Sequence, residues 1–355
     1  MKVVSIVGAR PQFIKHAPLS REMRKYHEVV VVHTGQHYDY DLSKLFFDEL
    51  EIPQADYDLG VGSSTHSKQT GDMLVGIEEI LVNEKPALVI VYGDTNSTLA
   101  GALAAAKLNI PIAHVEAGMR NFDMRKPEEV NRILTDHVSQ LLFTVTDSAV
   151  DNLRKEGITK GVFKTGDVTM DNFMKFKDLV DFKSHILDEL KISDAGYLLL
   201  TVHKQKNTDD VERLSTIVKA MSLVEDTVVF PMHPRTRRLL KEHDLWSLIE
   251  NSNIIVTRPV GYFDFIALMK HSKKIVTDSG GVQREAYLLK VPCITLRETE
   301  WVETVRDGWN ILVDVNVDEI VEVLGSFSPS SPQKNIFGEP GACRRIVEII
   351  NTELQ

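Results

Sequence analysis

The chain has 355 residues, 41 of them basic and 51 acidic, for a net charge of -10 at neutral pH. At roughly 100–200 residues per domain this length predicts two domains, each able to bury its own core. The acidic balance argues against nucleic acid or an anionic membrane as the main partner, because both need a basic face. A small anionic ligand stays open, since local basic groups decide that. No apolar run reaches the roughly 18–20 residues that span a bilayer. The opening MKVVSIVGARPQF is too short an apolar stretch for a signal-peptide core and reads as a buried strand, so a cytosolic protein is expected. Cys293 and Cys343 are the only cysteines and form no CxxC pair, which favours two buried small hydrophobes over a disulfide or zinc knuckle.

Short β-branched runs alternate with helical patterns along the whole chain. Strands are predicted at Val3–Val7, Val29–His33, Leu88–Tyr92, Ile112–Glu116, Leu141–Val145 and Val162–Thr165. A second set follows at Tyr197–Val202, Val228–Met232, Ile254–Thr257, Lys274–Thr277, Cys293–Leu296 and Ile311–Val313. Continuous apolar strands separated by helices such as Ser97–Leu108 predict parallel sheets covered on both faces, an α/β class. The reading divides the chain into residues 1–168 and 172–338, with a hinge near 168–172 and a terminal helix in 339–355 that packs back on the first domain. Doubly wound domains place ligands at the carboxyl ends of their strands, in a cleft, so the loops after strands carry the functional argument.

The first such loop is GARPQFIK. Gly8 permits a tight turn, Pro11 suits a first helical turn, and Arg10 and Lys15 stand near a helix N-terminus that favours anions; the alternative is that Arg10 only solvates the loop. This is not GxGxxG, and the lone Gly60–Gly62 pair follows no clear strand, so a nicotinamide cofactor has no support. In HTGQHYD, His33 and His37 do not share a helix face, and Gln36 and His37 read better as hydrogen-bond partners of a sugar or nucleotide than as metal ligands. Asp94 follows the strand Leu88–Tyr92, Glu116 ends the strand Ile112–Glu116, and Glu128 and Glu129 open a helix in PEEVNR. Singly, Asp94 could cap the next helix and Glu128 could complement a helix dipole; together, carboxylates on adjacent strand ends point to acid–base chemistry.

The second half differs in chemistry. His203 follows Tyr197–Val202, and His233 follows Val228–Phe230. TDSGGVQREA ends a strand in Asp-Ser-Gly-Gly and starts a helix at once: Ser279 can cap it, Gly280 and Gly281 let backbone N–H groups approach a pyrophosphate, and Glu285 could accept from a ribose diol. An ordinary glycine turn with an N-cap serine is the plainer alternative.

In this order, GARPQFIK, TGQHYD, VYGDTNSTLAGALAA, HVEAGMR, PEEVNR, TVHK, PMHPRTR, PVGYFDF, TDSGGVQREA and ETEWVE resemble the non-hydrolysing UDP-N-acetylglucosamine 2-epimerase family from residue 2 to about 313. The resemblance implies a GT-B-like fold of two Rossmann-type domains, a UDP-sugar substrate, no cofactor or metal, and a homodimer. Carried over by motif, Arg10, Lys15, His233, Ser279, Gly280, Gly281 and Glu285 are implied UDP and substrate contacts, and Asp94, Glu116, Glu128 and His203 the catalytic set. The chain departs from the pattern in three places. Lys206 stands where His-Arg-x-Glu-Asn has an acid, Trp301 replaces an arginine, and GARPQFIK replaces the commoner GTRPE form. The last two are similar to the branch acting on UDP-2,3-diacetamido-2,3-dideoxy-glucuronate. A GT-B glycosyltransferase, a hydrolysing epimerase and a non-catalytic UDP-sugar sensor are the rival readings.

Overall fold

A computed structural model describes residues 1–36, 45, 47–296, 299 and 301–354; His37 lies outside them. The chain divides into two compact units, Met1–Lys177 with Phe337–Gln355, and Asp178–Ile336. The stretch 168–172, read from the sequence as the hinge, lies inside the helix Val168–Phe176 of the first unit.

Among the described residues the first unit holds a parallel sheet of β1 (Lys2–Val7), β2 (Glu28–His33), β3 (Tyr57–Asp58), β4 (Leu88–Tyr92), β5 (Ile112–Ala117), β6 (Leu141–Thr144) and β7 (Val162–Lys164), in the order β3-β2-β1-β4-β5-β6-β7. The two-residue β3 has no counterpart in the sequence reading, and it directly precedes the Gly60–Gly62 loop. One face of the sheet presents Val4, Ile6, Val30, Val32, Val89 and Val91. Met73, Ile77, Ile80 and Leu81 pack with them from the helix His66–Glu84, on one stripe of that helix. The helix Asn96–Lys107 is buried along most of its length, and its alanines let it approach both the strands and its neighbouring helix closely. Its N-cap is Thr95, whose hydroxyl accepts from the Thr98 N–H, so Asp94 is not needed as a cap.

On the other side Ser5, His16 and Tyr92 form a fully buried polar group. Ser5 Oγ lies 2.9 Å from both His16 Nδ1 and the Tyr92 hydroxyl. The terminal helix Ala342–Glu353 belongs to this unit and packs on Arg10–Met23 and Val168–Phe176. Asp171 secures it by accepting from the Gly341 and Cys343 N–H groups.

The second unit holds a parallel sheet of β8 (Tyr197–Thr201), β9 (Thr227–Pro231), β10 (Ile254–Thr257), β11 (Lys274–Thr277), β12 (Cys293–Thr295) and β13 (Asn310–Leu312), in the order β10-β9-β8-β11-β12-β13. In each sheet the strand order reverses once, between β1 and β4 and between β8 and β11. Beyond such a reversal the following loops part to opposite faces and leave a crevice at the carboxyl ends of the strands. Among the described residues no helix is long and apolar enough to cross a membrane.

Candidate functional site

The reversal of the first sheet brings the end of β1 beside the end of β4. Gln12, almost fully buried, ties the two together. Its Oε1 accepts from the N–H groups of Gly8 (2.8 Å) and Ala9 (3.0 Å), and its Nε2 donates to the Tyr92 carbonyl and the Thr98 hydroxyl. Arg10 opens the helix Arg10–Met23, with Pro11 in its first turn. Lys15, one turn on, is buried, and its ammonium donates to Glu116 Oε1 at 2.7 Å. The sequence reading gave Lys15 to the ligand; the structure sets it against a carboxylate 101 residues away.

Glu116 owes its direction to a β-bulge. The β5–β6 register shifts between Val115 and Ala117, and Glu116 takes φ +71°, a left-handed conformation rare for a side-chain-bearing residue. Such bulges re-aim one side chain out of the strand's alternation, at a cost held by the surrounding structure. Gly93, at the end of β4, lies close by. Its φ is +62°, and a Cβ there would stand 3.0 Å from Lys15 Nζ and 3.7 Å from Glu116 Oε1. Gly93, Lys15 and Glu116 therefore meet at one point.

Asp94 follows Gly93, and its carboxylate takes a short hydrogen bond from Arg132. Asn131 also donates to the Asp94 carbonyl at 2.9 Å. Arg132 is buried and lies 3.1 Å from Glu129, whose fully buried carboxylate accepts from the Asn121 and Phe122 N–H groups. Of the two glutamates opening the helix Pro127–Val138, Glu129 thus holds the preceding loop, and Glu128 keeps a half-buried side chain in the first turn.

Beneath lies a second ionic group. Fully buried His114 sits between the Gly93 carbonyl and Asp136, at 2.7 Å from each. Arg120 bonds Asp136 at 2.7 Å and Glu156 through two nitrogens. Burial works to raise the Asp136 carboxyl, but His114 and Arg120 outweigh it and hold it below the usual range.

In the second unit, Asp278 at the end of β11 is fully buried. It accepts from the backbone N–H groups of His203 and Lys204 and from the Asn207 amide, and lies 3.4 Å from His203 Nδ1. This fixes the His203 loop at the carboxyl end of β8. Ser279 occupies the N-cap of the helix Gly280–Leu288, as its position suggested, but its side chain makes no capping bond; its N–H donates to Thr277 Oγ1 at 3.0 Å. Among the described residues a Cβ at Gly281 would find only Ser279 Oγ, 3.9 Å away, so there the missing side chain leaves the helix N-terminus open above it. Glu285 is half-buried in the same helix, and exposed His233 caps the helix Pro234–Glu242 by accepting from the Arg235 N–H. Trp301 is buried, with the Arg284 guanidinium 5.3 Å from its ring centre.

The family model for UDP-N-acetylglucosamine 2-epimerase matches residues 21–351. The chain belongs to the UDP-N-acetylglucosamine 2-epimerase family. A UDP-N-acetylglucosamine 2-epimerase homolog of Methanococcus maripaludis is 55% identical, with 99% of each chain covered. A UDP-2,3-diacetamido-2,3-dideoxy-D-glucuronate 2-epimerase of Pseudomonas aeruginosa is 44% identical, again with 99% of each chain covered. The crystal structure of Methanocaldococcus jannaschii UDP-GlcNAc 2-epimerase in complex with UDP-GlcNAc and UDP matches at TM-score 0.94 and 42% identity, covering 99% of this chain and 100% of that one. The fold is GT-B-like, and the chain is a sugar-nucleotide 2-epimerase. Sequence reasoning named Glu129 only beside Glu128 and missed Gln12, His114, Arg132, Asp136 and Asp278, the groups that hold the segments around Asp94, Glu116 and His203 in place.

Proposed function

We propose that this epimerase inverts C-2 of a UDP-linked 2-acetamido sugar by eliminating UDP and adding it back. A base takes the C-2 proton while the C-1–oxygen bond breaks, its electron pair leaving with UDP and a C-1=C-2 double bond forming. UDP then returns to C-1 as C-2 is protonated on the opposite face. Asp94, Glu116 and Glu128 share the proton transfers. Arg10 and the Ser279–Gly281 turn bind the diphosphate, with Glu285 on the ribose, and His203 meets the charge that develops on the leaving group. Lys15 orients Glu116 as well as contributing charge. His233 completes the substrate contacts. The route needs no cofactor, and the protein works as a cytosolic homodimer.

One observation carries the reading. Two carboxylates at adjacent strand ends, Asp94 and Glu116, are each held against a buried cation, Arg132 and Lys15. A half-buried carboxylate aimed by a fixed partner at the end of an apolar strand is a poor structural filler and is placed for proton transfer. Incubation with UDP-GlcNAc alone in deuterated water tests it. Deuterium at C-2 of a still UDP-linked sugar is the expected result; free UDP in stoichiometric amount would mean hydrolysis, and no exchange would remove the proposal.

A second reading concerns the sugar. Identity to the diacetamido-uronate epimerase of P. aeruginosa is 44%, and to the UDP-GlcNAc 2-epimerase of M. jannaschii 43%, so overall similarity does not choose between them. Lys206 adds positive charge in the His203 loop, which suits a uronate. Turnover of UDP-GlcNAc with none of the diacetamido uronate would reject this reading.

A further inference from the structure

The proposed reaction needs Asp94 and Glu116 in fixed separation, yet one follows β4 and the other sits on the bulge of β5. A single buried side chain spans the two. His114 Nε2 lies 2.7 Å from the carbonyl of Gly93, the residue before Asp94, and Nδ1 lies 2.7 Å from Asp136 Oδ1. A carbonyl oxygen can only accept, so Nε2 donates. Asp136 is approached by two donors, the Gly118 N–H at 3.1 Å and Arg120 at 2.7 Å, and by His114 Nδ1. Arg120 and the Gly118 N–H share Oδ2 and hold Asp136 as a carboxylate, and its Oδ1 faces His114 Nδ1. His114 thus bridges the Gly93 carbonyl and the Asp136 carboxylate through its two ring nitrogens. Asp136 also grips the N–H of Gly118, two residues beyond Glu116. The His114–Asp136 pair thus holds the chain just before Asp94 and just after the bulge.

We infer that His114 is a positioning residue of the epimerisation: through Gly93 and Asp136 it sets the separation of the Asp94 and Glu116 carboxylates. It acts through these groups and touches no substrate. The inference rests on the reaction proposed above.

The test compares the full-length wild type with H114L, H114Q and the H114Q/D136N pair. H114L removes both ring nitrogens and their contacts. In the pair, the glutamine amide can donate to the Gly93 carbonyl and accept from the asparagine amide, rebuilding the chain without charge. Misplacing reacting groups by about 1 Å costs about 100-fold in rate, so H114L should lose about that much kcat while KM and UDP affinity stay within about twofold. The H114Q/D136N pair should recover at least about tenfold of that loss. H114L with kcat within about threefold of wild type, or losing UDP affinity in parallel with kcat, overturns the inference. If H114L does not fold, H114Q against the pair decides, and a pair no faster than H114Q overturns it. Deuterium entry at C-2 is followed throughout. A wild type that takes up none overturns the reaction and the inference together, whereas a normal wild type with an equally active variant overturns the inference alone.

Discussion

Gly93→Ala isolates the point where β4, Lys15 and Glu116 meet. At φ +62° alanine pays the left-handed penalty of about 1–2 kcal/mol. Reduced freedom of the unfolded chain returns about 0.4–1 kcal/mol, leaving a net loss near 1 kcal/mol. The new methyl stands 3.0 Å from Lys15 Nζ, the end of a flexible side chain, and 3.7 Å from Glu116 Oε1, an ordinary contact. The ammonium must give way by a few tenths of an ångström, which disturbs the 2.7 Å bond to Glu116 without breaking the core. Gly157→Ala supplies the control, because Gly157 has φ +82° and, among the described residues, nothing within 4 Å of a Cβ. Both variants should lose about 1 kcal/mol in urea denaturation, but only Gly93→Ala should lose turnover, by about 10- to 100-fold. Epimer interconversion followed by proton NMR measures the second quantity. Wild-type kcat in Gly93→Ala would refute the reasoning. So would a stability loss several times that of Gly157→Ala, which would mean that rigid backbone and not the lysine tip receives the methyl.

Arg132→Met leaves the fully buried Glu129 without its cation and Asp94 without its clamp, and should cost about 3–5 kcal/mol of unfolding free energy together with most of the turnover. Arg132→Lys should fall between, because it keeps the charge but lacks the two separate guanidinium nitrogens that reach Asp94 and Glu129. Burial, aided by Arg24, pushes the His16 imidazole down from 6.5 to about 3. The unfolded chain therefore takes up a proton that the folded chain refuses. The stability His16 contributes is whole above pH 6.5 and declines as pH falls toward 3, by about 1.4 kcal/mol per pH unit. His16→Gln should remove that share of the slope in urea titrations at several pH values, and parallel slopes would disprove it. Burial raises the Cys293 thiol to about 12 and the Cys343 thiol well above its ordinary value, so the native protein at pH 8 should resist a thiol reagent that labels both after unfolding.

The sheets were legible because buried parallel strands write themselves as apolar runs, and Leu88–Tyr92 or Lys274–Thr277 need no other signal. The two residues of β3 make no such run, and the sequence passed over them. The bulge at Glu116 was invisible for a different reason. The pattern IAHVEA runs on as a strand to Ala117, and only the pairing with β6 reveals the extra residue. Ser279 shows the limit of capping rules: its position at the helix start was correct, but Thr277 offers its hydroxyl to the Ser279 N–H and the serine side chain makes no cap bond.

Asp94 and Glu116 could be picked out because a carboxylate stands out among Val, Ile and Tyr at a strand end. Arg132 and Asp136 could not, since polar residues are ordinary on a helix and the helix Pro127–Val138 has an exposed face on which each could have stood. What gives them work is contact across 38 residues for Arg132–Asp94 and 22 for Asp136–His114. Those contacts exist only once β4 and β5 lie side by side with that helix following. Local pattern therefore marks the groups proposed for the chemistry and is silent on the groups that aim them. Because the aiming groups are charged and buried, they carry much of the energetic cost of the site. A charge removed among them should disturb stability and turnover together, whereas a change at the Gly93 methyl position should disturb turnover far more than stability.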